Sequence, residues 1–247
     1  MRGHIGILES GLPYTLSVAR VLVTAVLALI AAVPLSAAPP AFEARYTLSR
    51  GGFGVGEVHI AVSAPTEDSY RYESRVSTNG VASLFADRSL TQVSKGRWTD
   101  DGPEPRNYWR VDRRGSERRR SRLHFADEVE LTRNGTVRVL DVPSSAHDPA
   151  SLTLKLIHDA RHEALAERYG LVDEKGTYRD FRVIDRGETR VEALDRTFRA
   201  RHIDRTALDG RFALQLYVAP HLDGIPVRMV WEDRERTYTM VLEALQR

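Results

Sequence analysis

Apolar and polar residues alternate with a period of two along most of the chain, from Phe42 to Leu245. That period sends successive side chains to opposite faces of an extended strand. It predicts strands over 42–49, 55–63, 69–78, 88–99, 106–113, 117–125, 129–133 and 136–142, and a second series over 178–185, 188–194, 197–205, 211–219, 226–233 and 236–245. Turn chemistry separates them: Gly51-Gly52, Asp101-Gly102-Pro103, Asn134-Gly135, Arg186-Gly187, Asp209-Gly210 and Asp223-Gly224. Strands joined by such short turns pair antiparallel. A sheet of about a dozen strands curls or splits rather than staying flat, so the expected fold is mainly β: a strongly curved antiparallel sheet or barrel-like fold.

One segment follows a different period. DPASLTLKLIHDARHEALAERYG, residues 148–170, offers Asp148 as N-cap, Pro149 at the first helical position and Gly170 as a stop. Leu152, Leu156, Ala160 and Ala164 recur four apart with Ile157 beside them, the apolar stripe of an amphipathic helix of roughly five turns. Its expected place is the concave side of the sheet, with Leu156 and Ala160 in the core and Lys155 turned to solvent. A shorter helical turn is expected at Val81–Phe85.

The first forty residues read differently. Residues 21–35, VLVTAVLALIAAVPL, form an uncharged apolar run after Arg20, followed by small residues and Pro39-Pro40. That is the layout of a secretory signal peptide. The run reaches only about 22 Å as a helix, short of the ~30 Å hydrocarbon core, so no transmembrane span is expected after processing. Cleavage is expected after Ala37, leaving 38–247 as a single β-rich domain in the periplasm, one large enough to fold as a monomer without disulfides.

Composition narrows the class further. The 247 residues are 42% hydrophobic and 28% charged, with no Cys, which excludes collagen-like, disordered and disulfide-stapled chains. Lys plus Arg total 36 against 34 acidic residues, so no global field exists to draw the chain onto nucleic acid. Only Lys95, Lys155 and Lys175 are lysines, so the basic charge is almost entirely arginine.

Several stretches carry a resemblance. FEARYTLSRGGFGVGEVHI (42–60), GVASLFADR (80–88), DPASLTLKLI (148–157), FRVIDRGETR (181–190), LQLYVAPHLDGIPVRMVWED (214–233) and YTMVLEAL (238–245) are similar to the bacterial domain-of-unknown-function 3108 family over essentially the whole of 41–245. Where members often carry a bulky residue before the second proline of that end, this chain has Gly224-Ile225, a departure confined to the local turn. The resemblance implies an exported, β-rich envelope protein of Gram-negative bacteria and brings no established activity.

Candidate chemistry is sparse. Gly52-x-Gly54-x-Gly56 runs into a strand rather than a helix start, which excludes a phosphate-cradling loop and implies close strand packing. No nucleophile elbow or Ser-x-x-Lys is present. Asp185, Glu188, Asp204, Asp223, Glu232 and Asp233 are candidate acid/base carboxylates, but their arginine neighbours suggest cross-strand ion pairs. His158 and His162, four apart on the helix, have metal-sharing spacing yet no assignable third ligand, and their expected place is the polar edge of the helix. No cofactor is implied.

The densest charge run, Arg113 to Arg122, suggests more. On a strand leaving its turn, Arg118, Arg120, Arg122 and His124 share one face, while Arg119, Ser121, Leu123 and Phe125 share the other. Guanidiniums about 7 Å apart can grip several phosphate oxygens, as on phosphorylated lipid head groups. The expectation is a non-catalytic periplasmic protein that binds a cell-envelope component, lipid-like or anionic, or an envelope partner protein. A hydrolase of cell-wall or polysaccharide material is the alternative.

Overall fold

The computed structural model describes residues 41–78, 88–233 and 236–247. The signal peptide expected over 1–37, its cleavage site at Ala37 and the turn expected at Val81–Phe85 lie outside the described residues. The strands are β1 (Phe42–Arg50), β2 (Phe53–Ser63), β3 (Ser69–Thr78), β4 (Arg88–Thr99), β5 (Gly102–Arg114), β6 (Glu117–Phe125), β7 (Val129–Arg133) and β8 (Thr136–Leu140). Helix α1 (Pro149–Arg161) follows, then β9 (Arg168–Val172), β10 (Tyr178–Ala193), β11 (Arg196–Ala207), β12 (Phe212–Ala219), β13 (Ile225–Asp233) and β14 (Arg236–Gln246).

All fourteen strands form one sheet in the order β8-β7-β6-β5-β4-β3-β2-β1-β14-β13-β12-β11-β10-β9, antiparallel throughout. β1 therefore starts in the middle of the sheet. The chain meanders outward to β8, crosses through α1 to the opposite edge at β9, and meanders back until β14 pairs with β1. Glycine makes two of the tight passages possible: Gly51 and Gly52 turn β1 into β2 at φ +56° and +86°, and a Cβ on Gly56 would overlap the Ser77 carbonyl oxygen.

The sheet curls around its apolar face without closing by strand pairing. Near the two edges, His147 bridges to Leu171, donating its backbone N–H to the Gly170 carbonyl at 3.0 Å and accepting from the Val172 N–H at 2.9 Å. Arg138 on β8 donates to the Lys175 carbonyl, and Arg110 on β5 reaches Glu174 at 3.9 Å. The curved, barrel-like sheet expected from the alternation is what forms. One continuous core fills it, with Tyr46, Tyr108, Leu123, Ile203 and Leu216 sealed from solvent. Buried tyrosines keep partners for their hydroxyls: Tyr46 donates to the Pro226 carbonyl at 2.9 Å and Tyr108 to Gln92 Oε1 at 2.7 Å.

Helix α1 lies against β4, β5 and β9, with Leu152, Leu154, Leu156 and Ala160 buried. Asp148 caps it as expected, accepting from the Ala150 and Ser151 N–H groups at 2.8 and 2.9 Å, while Ser151 Oγ accepts from the Asp148 N–H. Three expectations fail here. The helix ends at Arg161 rather than Gly170, so Ala164 is not on its stripe, and Tyr169, Leu171 and Val172 are buried on β9 instead. Lys155 is not free in solvent: it donates to Asp159 Oδ1 at 2.7 Å and to the Asp101 carbonyl at 2.8 Å. The Arg186-Gly187 turn is a bulge inside one long strand, β10, because β11 pairs along its whole length.

Candidate functional site

The register of β5 against β6 builds the candidate site. Across the Gly115-Ser116 turn, Arg113 pairs with Arg118, Val111 with Arg120 and Trp109 with Arg122. The alternate residues of β6, Ser121, Leu123 and Phe125, are buried, so Arg118, Arg120 and Arg122 share the outer face of the sheet as the alternation predicts. They ring an open depression of about 670 Å³, lined also by Trp109, Val111 and Thr132. The Arg122 guanidinium lies 5.5 Å over the Trp109 ring, with Lys95 Nζ 5.6 Å from the same ring. Arg122 also donates to Asn107 Oδ1 at 2.9 Å.

The density of arginine sets this face apart. Elsewhere on the sheet, arginines meet carboxylates: Arg71 and Arg75 share Glu73, Arg201 pairs with Asp185, Arg186 with Asp204 and Arg199 with Glu188. Among the described residues, Arg113, Arg118, Arg120 and Arg122 make no such ion pair. Arg118 is held below the usual guanidinium range, by desolvation first and then by repulsion from Arg120 and Arg113. An apolar fringe adjoins them on the same outer face: Val137, opposite Thr132, and Val139 of edge strand β8 are 59% and 55% exposed. Trp109, which precedes the charge run in the sequence, and Arg113 at the start of that run join the cluster through this register. The turn at Gly115-Ser116 was the signal that could have placed them.

The helix histidines do not assemble a comparable site. Their rings are 4.3 Å apart, but each has a backbone carbonyl at hydrogen-bond distance. His158 Nε2 is 3.2 Å from the Asp100 oxygen and His162 Nδ1 is 2.8 Å from the His158 oxygen. His158 is buried edge-on to Trp98 rather than at the polar edge of the helix, and burial first, then His162, lowers its pKa. Among the described residues, no three His, Cys, Asp or Glu side chains gather to hold a metal. Of the candidate carboxylates, Asp185, Glu188 and Asp204 are engaged in the ion pairs above, the first lying 2.5 Å from Arg201.

Among solved structures, the chain is similar to a β-barrel-like protein of the DUF1849 family from Brucella abortus, with a TM-score of 0.60 at 13% identity over 83% of this chain and 97% of that one. The likeness is one of fold. A DUF1089 family protein from Pseudomonas aeruginosa matches 69% of this chain and 87% of its own at 15% identity, with a TM-score of 0.37. No curated protein matches. No helix among the described residues is long and apolar enough to cross a membrane. The description "Protein of unknown function (DUF3108)" matches residues 42–243, nearly the whole of the sheet, and the chain belongs to that family.

Proposed function

We propose that this chain is a non-catalytic periplasmic binding protein that docks onto an anionic component of the cell envelope through the outer face of β5 and β6. The observation that carries the reading is the cluster of Arg118, Arg120 and Arg122 around an open depression beside Trp109, with Arg113 across from Arg118 and no carboxylate among the described residues paired to any of the four. A merely solubilising surface mixes its signs, as the surfaces of β3, β10 and β11 do. Guanidiniums beside exposed valines and an indole suit a phosphorylated headgroup layer, which offers acceptor oxygens above apolar carbon. Overall charge is only +2, so the attraction is local and short-ranged.

Sedimentation with vesicles tests this. Wild type is expected to bind phosphatidylglycerol-containing vesicles at low salt, to ignore zwitterionic ones, and to release as ionic strength rises. Each basic side chain near such a surface contributes about 1 kcal/mol, so changing Arg118, Arg120 and Arg122 together to Ser weakens binding by roughly a hundredfold. The folding midpoint should barely move, because these charges are exposed. Wild type that fails to sediment, or a triple variant that binds as well, refutes the reading.

A further inference from the structure

Arg205 stands out on the inner face of the sheet. Its neighbours in register are Val183 on β10 and Leu214 on β12, and the residues two places along its own strand, Ile203 and Ala207, are core. The guanidinium lies 4.7 Å over the Phe181 ring. Its Nε and Nη1 are shut off from solvent, and neither has a hydrogen-bond partner. Burial alone presses its pKa down to about 10, so it stays charged at neutral pH, and no neighbouring charge contributes. Arg205 as a whole is only part-buried, so its guanidinium lies at the edge of the core. A partly desolvated cation without a counter-charge is still costly to keep, and two sealed donors without acceptors add to that cost.

The row to which Arg205 belongs gives the reason to keep it. Read across neighbouring strands, Arg205 is followed by Leu214, Trp231, Tyr238 and Arg50, all on the inner face. Five strands at about 4.8 Å spacing make the row roughly 19 Å wide. Arg50 lies 5.9 Å over the Tyr238 ring, and the Trp231 and Tyr238 rings are 5.8 Å apart. One row deeper, Leu216 and Met229 are buried, whereas Trp231 is 46% exposed. The sealed core therefore ends just below this row, which presents a solvent-reachable apolar shelf with an arginine at either end.

We propose that this shelf binds a long-chain carboxylate, its head on Arg205 and its chain across Leu214, Trp231 and Tyr238. The planar carboxylate matches the guanidinium fork, and its single charge balances the single charge held there. A phosphate dianion would leave an excess charge in an apolar setting. This site is on the opposite side of the sheet from the basic outer face and does not depend on it.

The test is a titration of the full chain with the fluorescent fatty acid dansyl-undecanoic acid, followed by energy transfer from tryptophan. Wild type is expected to bind saturably at one site, and the uncharged methyl ester of the probe far more weakly. Arg205→Met should weaken the acid by about tenfold or more, the range of a lost charge-assisted hydrogen-bond pair, and should raise the thermal midpoint of the ligand-free protein by removing an uncompensated charge. Trp231→Ala alters a half-exposed side chain and keeps the test decisive if Arg205→Met fails to fold; it too should weaken the acid, read by dansyl emission directly. The Arg118, Arg120 and Arg122 triple change should leave this binding unaltered. Absence of saturable binding by wild type, equal affinity for acid and ester, or full affinity in either inner-face variant overturns the proposal.

Discussion

Replacing Asp148 with Ala removes more than a helix cap. The side chain is fully buried, its Oδ1 accepts the Ala150 and Ser151 N–H groups, and its Oδ2 accepts Ser94 Oγ–H at 2.7 Å. The Tyr70 hydroxyl is in turn 2.9 Å from Ser94 Oγ. One carboxylate thus ties the start of α1 to β3 and β4 across the interior. Losing the cap costs about 1 kcal/mol. Taking the carboxylate acceptor from the buried Ser94 hydroxyl costs about 1–3 kcal/mol more. The sum, roughly 3 kcal/mol, is a large fraction of the ~5–15 kcal/mol by which domains are stable. Asp148→Asn keeps an acceptor for the helix N–H groups and should cost only about a third as much. Burial raises the Asp148 pKa despite the hydrogen bonds its carboxylate accepts, so the folded state holds this proton more tightly than the unfolded chain. Wild type should therefore lose stability relative to Asp148→Asn as pH rises above the ordinary carboxylate range. Urea unfolding of the three proteins, at neutral and mildly acidic pH, reads both effects. At a urea slope of about 2 kcal/mol per molar, Asp148→Ala should lower the midpoint by about 1.5 M. An Ala midpoint within experimental scatter of wild type, or an Asn variant as unstable as Ala, would refute the reasoning.

Two further outcomes follow from the same interior. Desolvation, reinforced by Lys155, lowers the His147 pKa from 6.5 to about 4. Between those values the unfolded chain binds the proton and the folded one does not, so stability falls by about 3 kcal/mol as pH drops from 6.5 to 4, and His147→Gln should flatten that slope in urea midpoints measured across the range. Lys155→Asp should cost about 3–5 kcal/mol, because it sets a second carboxylate beside Asp159, which is 2% exposed and whose other oxygen is already held by the Tyr169 hydroxyl at 2.6 Å. A change below about 0.5 kcal/mol in chemical denaturation would return Lys155 to the solvated role its helical position suggests.

What the sequence decided by itself is local. Period-two alternation set which residues of β6 face inward, since Leu123 and Phe125 are core and Arg118, Arg120 and Arg122 are not. Asp148-Pro149 started the helix where capping chemistry demands it. What tertiary structure decided are the places where a partner strand outbids a local preference. Residues 162–170 still read as helix, yet Glu163 turns to φ +56° and Arg168–Val172 pairs with β10, where Tyr169, Leu171 and Val172 are buried. A free helix end gains only tenths of a kcal/mol per residue, whereas a paired strand gains a hydrogen-bonded ladder and three core side chains. Gly187 offered a turn, and β11 used it as a bulge, because continued pairing on both sides keeps more of the ladder satisfied than a reversal would. Arg205 and Arg50 are the same case at the level of charge. Alternation marks Arg205 only as the last residue of an expected strand and stops one residue short of Arg50, and their place at the two ends of one inner row exists only once β14 pairs with β1, linking segments nearly two hundred residues apart in the chain.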